Sequence, residues 1–181
     1  MNYRSSFFKI LSISLVSNYA IHAQSMQFER VFDETLAQAS YIIANENKEA
    51  IVIDPKRDID TYLNFAKEHG LTIKYVTESH IHADYLSGAP ELARATQAQI
   101  LLSAEGGKEW RYDFSHQPLK NQQTISLGNV QIQVLHTPGH TDGHFAYLCR
   151  DRVFTGDALL IDGCGRTDFQ NGDADTLYRS V

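Results

Sequence analysis

The sequence predicts an α/β layered domain, with sheets covered by helices. Short apolar runs recur along the chain after residue 25, and stretches with helical spacing are set among them. The length of 181 residues suits one domain with a proper core and is short for two.

Each element has its own signal. Ser40 to Ala44 and Ala50 to Ile53 read as paired strands around the turn Asn45-Glu46-Asn47-Lys48, and Asp54-Pro55 ends the second. Asp58 to His69 reads as a helix: Ile59, Tyr62, Leu63, Phe65 and Ala66 fall on one face, and Gly70 stops it. Ile73 to Thr77 is a strand. Pro90 suits the first turn of a helix running to about Gln97, with Leu92, Ala93 and Thr96 inward. Gln99 to Leu102 is a buried strand, and the polar stretch from Ser103 to Gln123, with the only Trp at 110, reads as an irregular surface excursion. Thr124 to Leu127, Val130 to Leu135, Phe145 to Leu148 and Val153 to Phe154 follow as strands, with hairpin turns at Gly128-Asn129 and Arg150-Asp151. Asp173 to Val181 begins a last helix. Because the sequence stops inside that apolar helical pattern, a domain incomplete at its C-terminus is expected.

With 43% hydrophobic and 21% charged residues the chain has the balance of an ordinary globular protein, and a net charge of −6 argues against nucleic acid as a partner. Residues 1–25 stand apart. Arg4 and Lys9 precede the apolar core Ile10 to Val16, no acid is present, and Ala23 offers a small residue for cleavage. The pattern predicts a signal peptide and a periplasmic or secreted protein; a mitochondrial transit peptide is the alternative. The apolar core is too short to span a bilayer. Cys149 and Cys164 make no disulfide framework and no CxxC pair.

The chemistry concentrates at three strand ends. His80-Ile81-His82-Ala83-Asp84 follows one strand, His140 follows another in Thr137-Pro138-Gly139-His140, and Asp157 follows a third in Phe154-Thr155-Gly156-Asp157. A divalent metal needs donors converging from separate, rigidly held segments. The expected ligands are His82, His140 and Asp157, with His80 and Asp84 beside them as further ligands or as groups that orient the ligands. Any one of the 8 histidines taken singly is more simply a surface or core residue; the joint pattern is what points to metal.

These motifs resemble the metallo-β-lactamase superfamily, whose signature is H-x-H-x-D-H, a later Gly-His, and an Asp after Gly at a strand end. Within it, Glu78 to Leu92, Thr137 to His144 and above all Thr155 to Gln170 look like the persulfide dioxygenases. That resemblance implies an αββα sandwich over residues 26–181. It also implies one Fe(II) on His82, His140 and Asp157, the two-histidine, one-carboxylate set of non-haem oxygenases. The implied reaction takes glutathione persulfide, O₂ and water to sulfite and glutathione, with no nucleic acid involved and a homodimer left open.

His80 and Asp84 would orient ligands or a water, and Arg166 would order the wall near the metal or attract an anionic substrate, paired with Asp168. A surface ion pair is the plain alternative for Arg166 and Asp168. Asp54 would brace the loop or merely end its strand, and Cys164, between two glycines, is either near the site or an inert loop thiol. The chain departs from the signature at Tyr85, where two-metal members carry a histidine, and a phenol is a poor ligand at neutral pH. Asp162 also stands where a basic residue is expected. Two rivals remain: a glyoxalase II-type Zn(II) thioester hydrolase, disfavoured by Tyr85, and a truncated, non-catalytic metal-binding remnant.

Overall fold

The computed structural model describes residues 26–181; the leader pattern of residues 1–25 lies outside the described residues. Strands β1 (Gln27–Asp33), β2 (Gln38–Ala44) and β3 (Glu49–Ile53) form an antiparallel run. Helix α1 (Asp60–His69) then returns the chain so that β4 (Thr72–Thr77) lies parallel to β3, and α2 (Ala89–Thr96) does the same between β4 and β5 (Gln99–Ser103). A parallel pair needs a crossover of this kind, which is why helical patterns interrupt the strands here and not later. With β6 (Gln117–Leu119) at its end, this sheet has six strands in sequence order.

The second sheet is antiparallel, in the order β10 (Arg152–Phe154), β9 (Phe145–Cys149), β8 (Val130–His136), β7 (Thr124–Leu127). Its inward residues Ile125, Leu127, Ile132, Val134, Phe145 and Tyr147 pack with Ile43, Ile51, Ile53 and Leu101 of the first sheet. A second core joins the other face of the first sheet, through Ile42, Val52 and Val76, to Tyr62 and Ala66 of α1 and Leu92 of α2. Strands β2 and β3 are largely buried on both faces, which explains the apolar runs from Tyr41 to Ala44 and from Ala50 to Ile53.

Two strands carry little sequence signal. β1 runs as QFERVFD with every side chain at least partly exposed; a seven-residue backbone register with β2 holds it, and Phe28 and Val31 pack against the two cores. β6 is three residues with Pro118 in the middle, tolerable only because it lies at the sheet's edge. The helix expected from Asp58 starts at Asp60, and the last helix, α3 (Ala174–Ser180), is capped by the Asp173 carboxylate, which accepts from the Thr176 N–H at 2.7 Å.

The ends of β4, β8 and β10 lead into three loops, residues 78–88, 137–144 and 155–173, and these are bound to one another. Phe145 N–H donates to Ser79 O at 2.7 Å, Gln170 Nε2 donates to Ile81 O at 2.9 Å, and Asp173 N–H donates to Gly139 O at 2.8 Å. Gly139, at φ +131°, sits so close to α3 that a Cβ would fall 2.3 Å from the Leu177 nitrogen. Tyr147, fully buried, donates its hydroxyl to Glu78 O at 2.8 Å and so ties the second sheet to the first loop.

Tyr147→Phe is expected to leave that carbonyl unpaired and to destabilise the fold by about 1–3 kcal/mol. Urea unfolding should show a lower midpoint with an unchanged slope.

Candidate metal centre

His80, His140 and Asp157 each bring one ligand atom into a group whose members all lie within 4.8 Å of one another. His140 Nε2 is 3.5 Å and His80 Nε2 3.9 Å from Asp157 Oδ2. Both imidazoles are buried, while the Asp157 side chain is 43% exposed, so the group opens to solvent on the carboxylate side.

The tautomer of His140 follows from its hydrogen bond. His140 Nδ1 is 2.7 Å from the Arg166 carbonyl, an acceptor only, so Nδ1 carries the proton and the Nε2 lone pair points at Asp157. His80 Nδ1 lies 2.9 Å from the Ser79 hydroxyl, leaving Nε2 toward the carboxylate. Burial, then the neighbouring His82, His144 and His140, holds His80 well below the usual imidazole range, so it stands neutral, as a ligand must. Burial pushes the Asp157 carboxyl up, against the pull of His140 and His82. A cation would relieve that burial cost, and two neutral nitrogens with one carboxylate are a donor set for a first-row divalent metal.

His144 supports the group from beneath. It accepts from the Asp157 N–H at 3.2 Å and donates through Nδ1 to Thr137 Oγ1 at 2.9 Å, so both its nitrogens are used. Burial lowers it to about 3. Gly165 completes the packing: its N–H donates to Asp157 O at 2.7 Å, and an added Cβ would fall 2.6 Å from His140 Nδ1.

The structure groups the expected residues differently from the sequence reading. His82 does not join His140 and Asp157; its Nε2 lies 3.1 Å from Asp54 Oδ1 and 3.2 Å from Glu78 Oε2, and His80 takes the place beside Asp157. The reason is local. Strand β4 ends at Thr77, so residues 80 and 82 do not obey strand alternation; their rings lie side by side, centroids 4.1 Å apart, but serve different partners. Burial would lower His82, yet Asp54 and Glu78 override it and raise the imidazole to about 10; burial likewise raises Glu78 to about 7.

Asp54 is buried and touches His82, Asp84 is exposed outside both groups, and Tyr85 packs its ring 4.3 Å from that of His82. Burial raises the Tyr85 phenol, which is therefore no anionic ligand at neutral pH. Arg166 reaches the centre through its carbonyl alone; its guanidinium is exposed and pairs with Asp168 at 2.8 Å and 3.1 Å. Cys164 is exposed. Glu78, Ser79, Thr137 and His144 were not legible as site residues, because hydrogen bonds across the sheets give them their roles.

A cavity of about 380 Å³ opens beside the centre, lined among others by Ile81, Trp110, Arg111, Tyr112, Thr141 and Gln170. Asp142 Oδ2 accepts from the Gly107 N–H at 2.7 Å and so clips the 104–116 loop to the loop of His140.

A family model described as the metallo-beta-lactamase superfamily matches residues 34–181. The chain belongs to this superfamily. It is 34% identical over 163 residues to the mitochondrial persulfide dioxygenase ETHE1 of Bos taurus, covering 84% of this chain and 60% of that protein. It is 33% identical over 141 residues to a hydroxyacylglutathione hydrolase of Aliivibrio fischeri, covering 78% and 54% respectively. The solved structure of ETHE1 from Myxococcus xanthus superimposes with a TM-score of 0.79 at 39% identity, over 85% of this chain and 67% of that one. The chain thus spans somewhat over half the length of the curated relatives it matches. The superfamily fold agrees with the two-sheet α/β architecture expected from the sequence.

Gly165→Ala is expected to press on His140 and weaken metal binding about 10- to 100-fold while the fold persists. Competition against a chelator, with circular dichroism as the control, measures it.

Proposed function

We propose that this chain is a mononuclear iron persulfide dioxygenase, with His80, His140 and Asp157 as the protein ligands. One observation carries the reading: two imidazole nitrogens and one carboxylate oxygen converge while the second motif histidine is turned to other partners. That is a three-donor set with open positions, the arrangement used by non-haem Fe(II) oxygenases. Tyr85 supports a single ion, since it replaces the histidine that resembles a second-metal ligand in two-metal relatives. The similarity to persulfide dioxygenases supports the substrate class.

When bound, Fe(II) supplies the redox chemistry by which dioxygen oxidises a sulfur. The chain's own residues do the rest. The Arg166 carbonyl and the Ser79 hydroxyl orient His140 and His80, and the N–H held by His144 fixes the Asp157 backbone. The cavity beside the centre would seat the organic half of glutathione persulfide, with Trp110 and Ile81 as its apolar wall and Arg111 available to a carboxylate. The balanced reaction joins glutathione persulfide, O₂ and water to give glutathione and sulfite.

A zinc thioester hydrolase is the second reading, favoured by the similarity to a hydroxyacylglutathione hydrolase. Anaerobic purification, elemental analysis and oxygen uptake with glutathione persulfide separate the two. One iron per chain, oxygen consumption and sulfite are expected; two zincs with oxygen-independent cleavage of an S-acylglutathione would favour the hydrolase. Trp110→Ala should raise KM for the persulfide about tenfold, the equivalent of about 1.4 kcal/mol, with kcat nearly unchanged.

A further inference from the structure

We propose that Asp142 is a positioning residue for the substrate cavity, a latch that holds the 104–116 loop against the loop of His140. The inference deepens the dioxygenase reading and rests on it for the identity of the thiol. An irregular loop has no ladder of its own, so a cavity wall made from one stays in place only through bonds to its neighbours. The 104–116 loop supplies Trp110, Arg111 and Tyr112 to the cavity, and the loop of His140 supplies Thr141 and Gly143.

Asp142 sits where these walls meet. Its Oδ2 accepts from the Gly107 N–H at 2.7 Å and from Asn171 Nδ2 at 3.3 Å, so one oxygen ties the 104–116 loop to the loop that carries Asp157. The Asp142 carbonyl accepts from His136 Nε2 at 2.8 Å, which anchors the latch to the end of β8. The Gly107 carbonyl accepts from Arg111 Nε at 3.4 Å, so the residue caught by Asp142 also steadies the side chain offered to a substrate carboxylate. The backbones approach closely here. A Cβ on Gly107 would fall 2.7 Å from Asp142 Oδ2, and one on Gly143 would fall 3.1 Å from the Gly106 Cα. Trp110 meets Phe169 edge to face at 5.5 Å, a second point at which the wall is secured to the 155–173 loop. A carboxylate acceptor makes the Gly107 bond a strong one. Without it the wall would be free to move, while His140 keeps its own support from the Arg166 carbonyl. Loss of the latch should therefore weaken substrate binding and spare the chemistry at the centre.

The test uses the full, iron-loaded chain, in which Trp110, the only tryptophan, reports on the loop. Asp142→Ala is expected to make Trp110 emission about twofold more open to acrylamide quenching. KM for glutathione persulfide should rise about tenfold, with kcat and iron content nearly unchanged. Asp142→Asn keeps an oxygen to accept the Gly107 N–H and should recover most of the loss. Gly107→Ala attacks the same contact from the other side. Gly107 lies outside the left-handed region, so the Cβ alone is at issue, and the same shifts in quenching and KM are expected. Combining Asp142→Ala with Gly107→Ala should add little to either, because both break one contact. Circular dichroism checks folding, and if Asp142→Ala does not fold, Gly107→Ala decides. Unchanged quenching and KM overturn the proposal. So does lost iron or a fall in kcat at constant KM, which would put Asp142 to work at the centre instead of the wall. Full additivity of the two substitutions also overturns it. A parent chain that binds S-methylglutathione, read from Trp110 emission, but oxidises no glutathione persulfide sinks the dioxygenase reading alone. The latch is then judged by quenching and by the same loss of affinity for S-methylglutathione. A parent chain that does neither sinks both.

Discussion

Every imidazole at the centre has its second nitrogen committed to a partner. His140 gives its Nδ1 proton to a carbonyl, His144 spends both nitrogens on Thr137 and the Asp157 backbone, and His82 is held by carboxylates. Which nitrogen remains free is decided by those bonds and not by the order of residues in the motif. The partners come from different elements: Arg166 lies beyond β10, Thr137 beyond β8, and Asp54 beyond β3. The donor set is therefore a product of the whole two-sheet architecture, and the sandwich is the device that fixes its chemistry.

This division explains what could be read from the chain beforehand. Strands β2 to β5 and β7 to β10 were legible because they bury apolar runs, and α1 and α2 because their inward residues recur at helical spacing. The signal failed for β1, a polar edge strand defined by its register with β2, and for β6, where a proline suits the edge but not a strand pattern. The three loops that carry His80, His140 and Asp157 do follow strand ends, as the spacing of the motifs suggests. The exchange of His80 for His82 was not legible, since alternation assumes a strand that has already ended at Thr77. Glu78 gave no warning either: a carboxylate before a histidine looks like a solvated charge until burial is known.

Arg166 illustrates the opposite trap. A basic residue near a metal motif invites a role for its charge, yet the guanidinium is exposed and paired with Asp168, and the atom that touches the centre is the carbonyl. Exposed ion pairs of this sort contribute little to stability. The backbone contribution is the one that a change of side chain at 166 would preserve.

The seating of Gly139 against Leu177 reaches beyond the space it leaves. Asp173 N–H and the Ser180 hydroxyl grip the same loop at Gly139 O and Pro138 O, so α3 acts as the mould in which the loop of His140 is cast. As the polypeptide emerges from the ribosome, two of the three donor segments are made well before that mould exists. A metal captured early would therefore meet an unfinished claw, and full grip arrives only once residues 174–180 have been made and seated.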